Sequence, residues 1–153
     1  MQRIAAFEIA YELARELRLA GNGLYDSIVS IEMIEAVGER YWPTYFDVLK
    51  RRLAPGGVAV IQAIVVEDAH FPIYRARSDF IRQHIFPGGM LPSPGAIRHA
   101  AGQAGLETRN VFRFGQDYAR TLRIWLERFE AALPHIRALG YDEAFIRGWR
   151  YYL

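Results

Sequence analysis

The chain has 153 residues, 52% of them hydrophobic, enough to bury a core and read here as a single domain over 1–153. Its 19 Lys+Arg against 17 Asp+Glu leave a formal charge of +2, too weak a bias to argue for a nucleic-acid partner. Cysteine is absent, which excludes disulfides, thiolate metal sites and a cysteine nucleophile and fits a cytoplasmic protein.

Residues 2–20, QRIAAFEIAYELARELRLA, have helical spacing of Ile4, Phe7, Tyr11 and Ala14, with charges of both signs on the other face. That mixture suits a helix packed on a sheet better than one lying on a membrane. It also lacks the continuous apolar run of a signal peptide, and no stretch approaches the ~20 apolar residues that span a bilayer. Gly21-Asn22-Gly23 stops this helix.

Tyr25–Ser30 is a short strand rich in β-branched residues, followed by a turn or short helix over Ile31–Val37. Immediately behind the strand lie Glu32, Glu35 and Glu39. Tyr41–Leu53 is expected as a helix with Pro43 in its first turn and Tyr45, Val48, Leu49 and Leu53 as its buried stripe. Ala54-Pro55-Gly56-Gly57 reads as a turn into a strand over Val58–Val66. That strand is apolar on both faces apart from Gln62, so it should be central and covered on both sides.

Residues 67–92 begin as loop, become helical over Tyr74–Ile85 and turn sharply at Phe86–Pro92; placed after a central strand, they would form a lid over the crevice. A helix over Pro94–Gly105, a strand over Leu106–Phe114 and two aromatic-rich helices, Asp117–Leu133 and Tyr141–Tyr152, complete the chain. Strands alternating with helices give an α/β fold. Open α/β sheets bind ligands beyond the carboxyl ends of their strands, where Glu35 stands.

Gln62 is the most informative residue, because a carboxamide in a buried apolar strand costs about 1–3 kcal/mol unless it is paired. It is either a satisfied core group or a partner facing Glu35 across the crevice. Glu35 alone would be a solvated helix acid, and Tyr118, after the turn Phe114-Gly115-Gln116-Asp117, a core or interface tyrosine. The histidines lack metal-ligand spacing, so no metal is assigned. The aromatic helices suit a core and equally an apolar tunnel for an acyl chain.

The stretches YDSIVSIEMIEAVGERYWPTYF, LAPGGVAVIQAI, QHIFPGGMLPS and FGQDYARTLRIWLERFEAALPHI, in this order, resemble the cyclopropane-fatty-acyl-phospholipid synthase family of S-adenosylmethionine-dependent lipid methyltransferases. With Gln at position 62 the likeness is to the branch that methylates or methylenates the double bond of unsaturated acyl phospholipids, which includes tuberculostearic-acid-type methyltransferases.

The resemblance implies part of a class I, Rossmann-like methyltransferase sheet with covering helices and a helical lid. It implies S-adenosylmethionine as methyl donor, with Ile31 lining its pocket. It also implies a bicarbonate ion as general base, held by Glu35, Gln62, the Ile64 backbone and Tyr118. Cyclopropane synthases usually carry histidine where this chain has Gln62, which leaves methyl transfer without ring closure open.

The implied partner is an unsaturated acyl phospholipid, met at the inner face of a membrane. Two departures accompany the likeness. The family's glycine-rich strand-to-helix turn has no counterpart in residues 1–24, and the chain stops at Leu153, before the family's last hairpin strand. It therefore reads as the C-terminal part of a methyltransferase, shortened on both sides. A non-catalytic remnant that pairs with itself or with a full-length homologue stays open beside the enzyme.

Overall fold

The computed structural model describes residues 23–153, and the helix expected over 2–20 lies outside them. The chain divides into two compact units at Arg109/Asn110, where the sequence is read above as one domain.

In the first unit, β1 (Tyr25–Ile31) and β2 (Leu53–Gln62) form a parallel two-stranded sheet. Parallel strands need a crossover. Here it consists of α1 (Ile34–Val37), a 3-10 turn (Glu39–Tyr41) and α2 (Trp42–Arg52). Pro43 sits in the first turn of α2, where its missing N–H costs nothing, and Lys50, Arg51 and Arg52 occupy the last turn, facing the negative end of the helix dipole.

The buried stripe of α2 is Trp42, Tyr45, Phe46, Val48 and Leu49, one helical face. Leu53, expected on that stripe, instead opens β2. The stripe packs with Ile34, Val37 and Met90 and with Ala100 and Ala101 of α4 (Pro94–Gln103), while Ile28 and Ile61 meet it from the strands. Tyr45 stands edge-on to Phe46, ring centroids 5.0 Å apart. Its hydroxyl donates to Ser30 Oγ at 2.7 Å, satisfying two buried polar groups and tying helix to strand.

The ladder pairs Ser27 with Val58 through Ile31 with Gln62, but Tyr25 pairs with Leu53. The turn expected at Ala54–Gly57 is therefore absorbed into β2 as a bulge, which starts the strand earlier than expected, and the strand ends at Gln62 instead of Val66. Gly56 has φ +80°, and a Cβ on Gly57 would lie 3.0 Å from the carbonyl oxygens of both Ala54 and Tyr25.

Among the described residues β2 is covered on one side only, not on both as expected. The helices pack on one face, and Val29, Ile31, Val58 and Val60, which share the other, remain 64%, 63%, 51% and 57% exposed.

The helix expected over Tyr74–Ile85 is two pieces, α3 (Phe71–Ala76) and a π-type turn (Ile81–Ile85). Arg82 Nη1 joins them by donating to the carbonyl oxygens of Tyr74 at 2.7 Å and Arg77 at 2.6 Å, with the guanidinium 4.8 Å over the Tyr74 ring. The Tyr74 hydroxyl accepts the Leu91 N–H at 3.2 Å, and Val66 N–H donates to Pro92 O at 3.0 Å, closing the base of the segment. Ser93 caps α4 by accepting the Ala96 N–H at 3.1 Å.

The strand expected over Leu106–Phe114 is also corrected: this stretch forms no ladder among the described residues. β-propensity alone does not make a strand without an edge to receive its hydrogen bonds. The second unit contains α5 (Gly115–Ala131), α6 (Leu133–Ala138) and α7 (Glu143–Tyr152). Asp142 caps α7 through the Phe145 N–H at 2.8 Å. Arg150 grips Glu130 with two hydrogen bonds, 2.5 and 2.8 Å, binding α7 to α5. Tyr141, Phe145, Trp149 and Tyr152 follow one another ring to ring along one side of this region, and Ile146 is fully buried.

Gly57→Ala is expected to destabilise the chain by about 1–3 kcal/mol, since the clash is with backbone that cannot yield cheaply. Urea denaturation checks it, and an unchanged midpoint would show that the bulge tolerates a side chain.

Candidate functional site

The carboxyl end of β1 is where polar groups converge. Glu32 follows Ile31 directly and takes φ 49°, the left-handed region, at a cost of about 1–2 kcal/mol for a residue with a Cβ. Its N–H donates to Gln62 O at 3.0 Å, extending the ladder by one bond. Its carboxylate Oε1 accepts a hydrogen bond from Gln62 Nε2 at 2.9 Å.

Glu35 lies in the single turn of α1, with its carbonyl oxygen fixed by the Met90 N–H at 2.8 Å. Oε1 of its side chain accepts the N–H of Ile64 at 2.6 Å. Oε2 is buried and has no hydrogen-bond partner among the described residues. Burial pushes the Glu35 carboxyl above its ordinary value; the hydrogen bonds from Ile64 and from its own backbone oppose this, and the charge of Glu32 adds to the rise. Oε1 is thus anchored, while Oε2 is left able to carry or accept a proton, and burial eases its protonation. Such a group can donate to a small anion or take part in proton transfer.

Tyr45 lies deeper. Burial raises its phenol, the Ser30 hydrogen bond opposes, and the charge of Glu35 adds to the rise. It acts as a structural hydroxyl.

Of the residues selected from sequence, Glu35 and Ile64 are in direct contact. Gln62 sits opposite Ile31 in the ladder, and its amide nitrogen goes to Glu32 where a partner at Glu35 is expected above. Ile31 is largely exposed at the strand end. Tyr118 belongs to the second unit, in the first turn of α5, with its N–H donating to Phe114 O at 3.1 Å. Glu32 receives no role in the sequence reading, although an acid immediately after a strand is a usable signal. Among the described residues no group of three or more His, Cys, Asp or Glu side chains could hold a metal ion.

A family model described as mycolic acid cyclopropane synthetase matches residues 9–153. The chain is 45% identical over 133 residues to tuberculostearic acid methyltransferase UfaA1 of Mycobacterium tuberculosis, which covers 86% of this chain and 31% of that protein. To the cyclopropane-fatty-acyl-phospholipid synthase of Escherichia coli it is 37% identical over 132 residues, covering 86% and 33%. The crystal structure of mycolic acid cyclopropane synthase CmaA1 complexed with SAH and CTAB matches with a TM-score of 0.74 at 27% identity, over 86% of this chain and 49% of that one. Cyclopropane synthase MmaA2 of Mycobacterium tuberculosis gives a TM-score of 0.72 at 23% identity over 87% and 50%, a likeness of fold. The chain thus spans about a third of the length of these curated relatives and about half of the matched structures. The fold is the one expected above, part of a class I methyltransferase sheet.

The state of Glu35 has a measurable consequence. An acid whose folded-state pKa exceeds its ordinary 4.5 binds its proton more tightly when folded, so its ionisation lowers stability as pH rises above that value. Glu35→Gln keeps an acceptor for Ile64 and removes the charge. This variant is expected to be more stable than the unsubstituted chain at mildly alkaline pH, with the advantage disappearing below pH 4.5. Urea midpoints at the two pH extremes test this; a difference independent of pH would contradict it.

Proposed function

Because this chain belongs to the mycolic acid cyclopropane synthetase family, we propose that it serves S-adenosylmethionine-dependent methyl or methylene transfer to the double bond of an unsaturated fatty-acyl phospholipid. The observation that carries the reading is the buried, unpartnered Oε2 of Glu35 beyond the ends of two parallel strands. An acid left there in want of an acceptor suits a small oxyanion. S-adenosylmethionine, when bound, supplies the electrophilic methyl group, and bicarbonate supplies the base for the proton that must leave the alkylated chain.

The residues of this chain have separate tasks in that scheme. Glu35 donates to the anion from a protonated Oε2 while Oε1 stays anchored on Ile64, and burial favours that form. The Ile64 N–H serves by holding Glu35 Oε1, and Gln62 stands at the end of the neighbouring strand; Tyr118 is named as an anion ligand by resemblance alone. Ile31 offers an exposed apolar surface to the methyl donor at the strand end. What supports the reading is the contact of Glu35 with the Ile64 N–H, where partial burial strengthens the interaction. The partner is the acyl phospholipid, reached at a membrane surface from the cytoplasm; no helix among the described residues is long and apolar enough to cross a membrane.

Calorimetric titration with S-adenosylmethionine or its demethylated product is the first test, with measurable heat and a rise in melting temperature expected. Absence of both would reduce the likeness to shared ancestry. With labelled methyl donor and vesicles of unsaturated phosphatidylethanolamine, Glu35→Gln is expected to slow transfer by roughly 10²–10⁴-fold without weakening donor binding.

A second reading has its own observation. The row Val29, Ile31, Val58 and Val60, exposed among the described residues, suits a non-catalytic role in which the chain pairs with a full-length homologue. Light scattering on the chain alone and mixed with such a homologue decides it: co-elution supports pairing, and a monomer in both cases rejects it.

A further inference from the structure

Glu32 touches the site without having been given a part in it. We propose that Glu32 is a positioning residue for Gln62: its carboxylate takes the amide nitrogen and leaves the carbonyl oxygen of Gln62 as the acceptor offered to the ligand of the crevice.

The geometry joins the two residues twice, through Glu32 N–H to Gln62 O at 3.0 Å and through Gln62 Nε2 to Glu32 Oε1 at 2.9 Å. The two ends of a carboxamide have nearly the same shape, so the chemistry of its neighbours decides which way it points. An ionised carboxylate only accepts, so only the nitrogen end of Gln62 can face it. The planar amide then directs Oε1 away from Glu32, accompanied at most by the second proton of Nε2.

The backbone of Glu32 explains how it reaches. Ile31 and Gln62 are ladder partners on one face of the sheet. An extended residue 32 would send its side chain to the opposite face. With φ 49° the chain turns, and the carboxylate comes back to the Gln62 side. Strain retained at a strand end with such a consequence is a feature of sites.

Resting on the reading that bicarbonate occupies this crevice, the orientation selects its ligand. A carbonyl acceptor engages the O–H of a small planar oxyanion and leaves the unprotonated oxygens to the other donors. An anion of similar shape without a proton, such as nitrate, has nothing to give it.

The test is nuclear magnetic resonance on the ¹⁵N-labelled full chain, with the Gln62 side-chain amide assigned by its loss in Gln62→Leu. In the unsubstituted chain its two protons should be well separated, with the bonded one slow to exchange with solvent. Glu32→Gly accommodates the left-handed backbone and removes the carboxylate; exchange should become roughly 2–10-fold faster. Glu32→Gln keeps a polar neighbour that can both donate and accept, so the two protons should move toward averaging.

An unprotected Gln62 amide in the unsubstituted chain overturns the proposal whatever the variants do, as does an amide unchanged by Glu32→Gly. Bicarbonate should shift the Gln62 signals in the unsubstituted chain and nitrate should not. If the amide depends on Glu32 yet neither anion shifts it, the positioning role stands and the bicarbonate reading falls.

Discussion

The parallel ladder between β1 and β2 is the constraint from which the first unit follows. Parallel strands cannot be joined by a tight hairpin, so the chain must leave the end of β1, cross one face and return to the start of β2. That excursion is α1 and α2, and their apolar face becomes the core simply because it lies against the sheet. The Tyr45–Ser30 hydrogen bond fixes how α2 sits on the strand beneath it. Both strands then finish side by side at Ile31 and Gln62, and whatever follows them in sequence is brought to the same place. Glu32 and Glu35 come from one strand end, and Ile64 from the other.

This convergence explains why the carboxylates differ. Glu32 is at the rim, bonded to an amide and open to water. Glu35 is drawn inward by α1 and by Met90, loses hydration and keeps one oxygen unpartnered. Two acids a few residues apart are thus given unlike environments, and the pKa of the inner one is raised chiefly by its burial, with the charge of the outer one adding to the rise.

Much of the first unit was legible in the sequence. β-branched density marked β1, and Pro43 with the spacing of Tyr45, Val48 and Leu49 marked α2. The bulge at Pro55-Gly56 was hidden because the same residues are usual in a turn, and only the partner strand shows that pairing resumes across them. The failed strand at 106–114 has a related cause: alternation records what a segment prefers and is silent on whether an edge awaits it. The bond between Gln62 and Glu32 was beyond reach for another reason. It depends on the sign of one backbone angle, which Glu as a residue type argues against.

The guanidinium of Arg82 leads to a mechanical conclusion. From the π-type turn it reaches back across the break to the carbonyl groups of Tyr74 in α3 and Arg77 at its end, while its flat face rests on Tyr74. Two short helical pieces, neither long enough to be rigid alone, are thereby riveted into one plate. A single side chain does across the break what a continuous helix would do with its backbone.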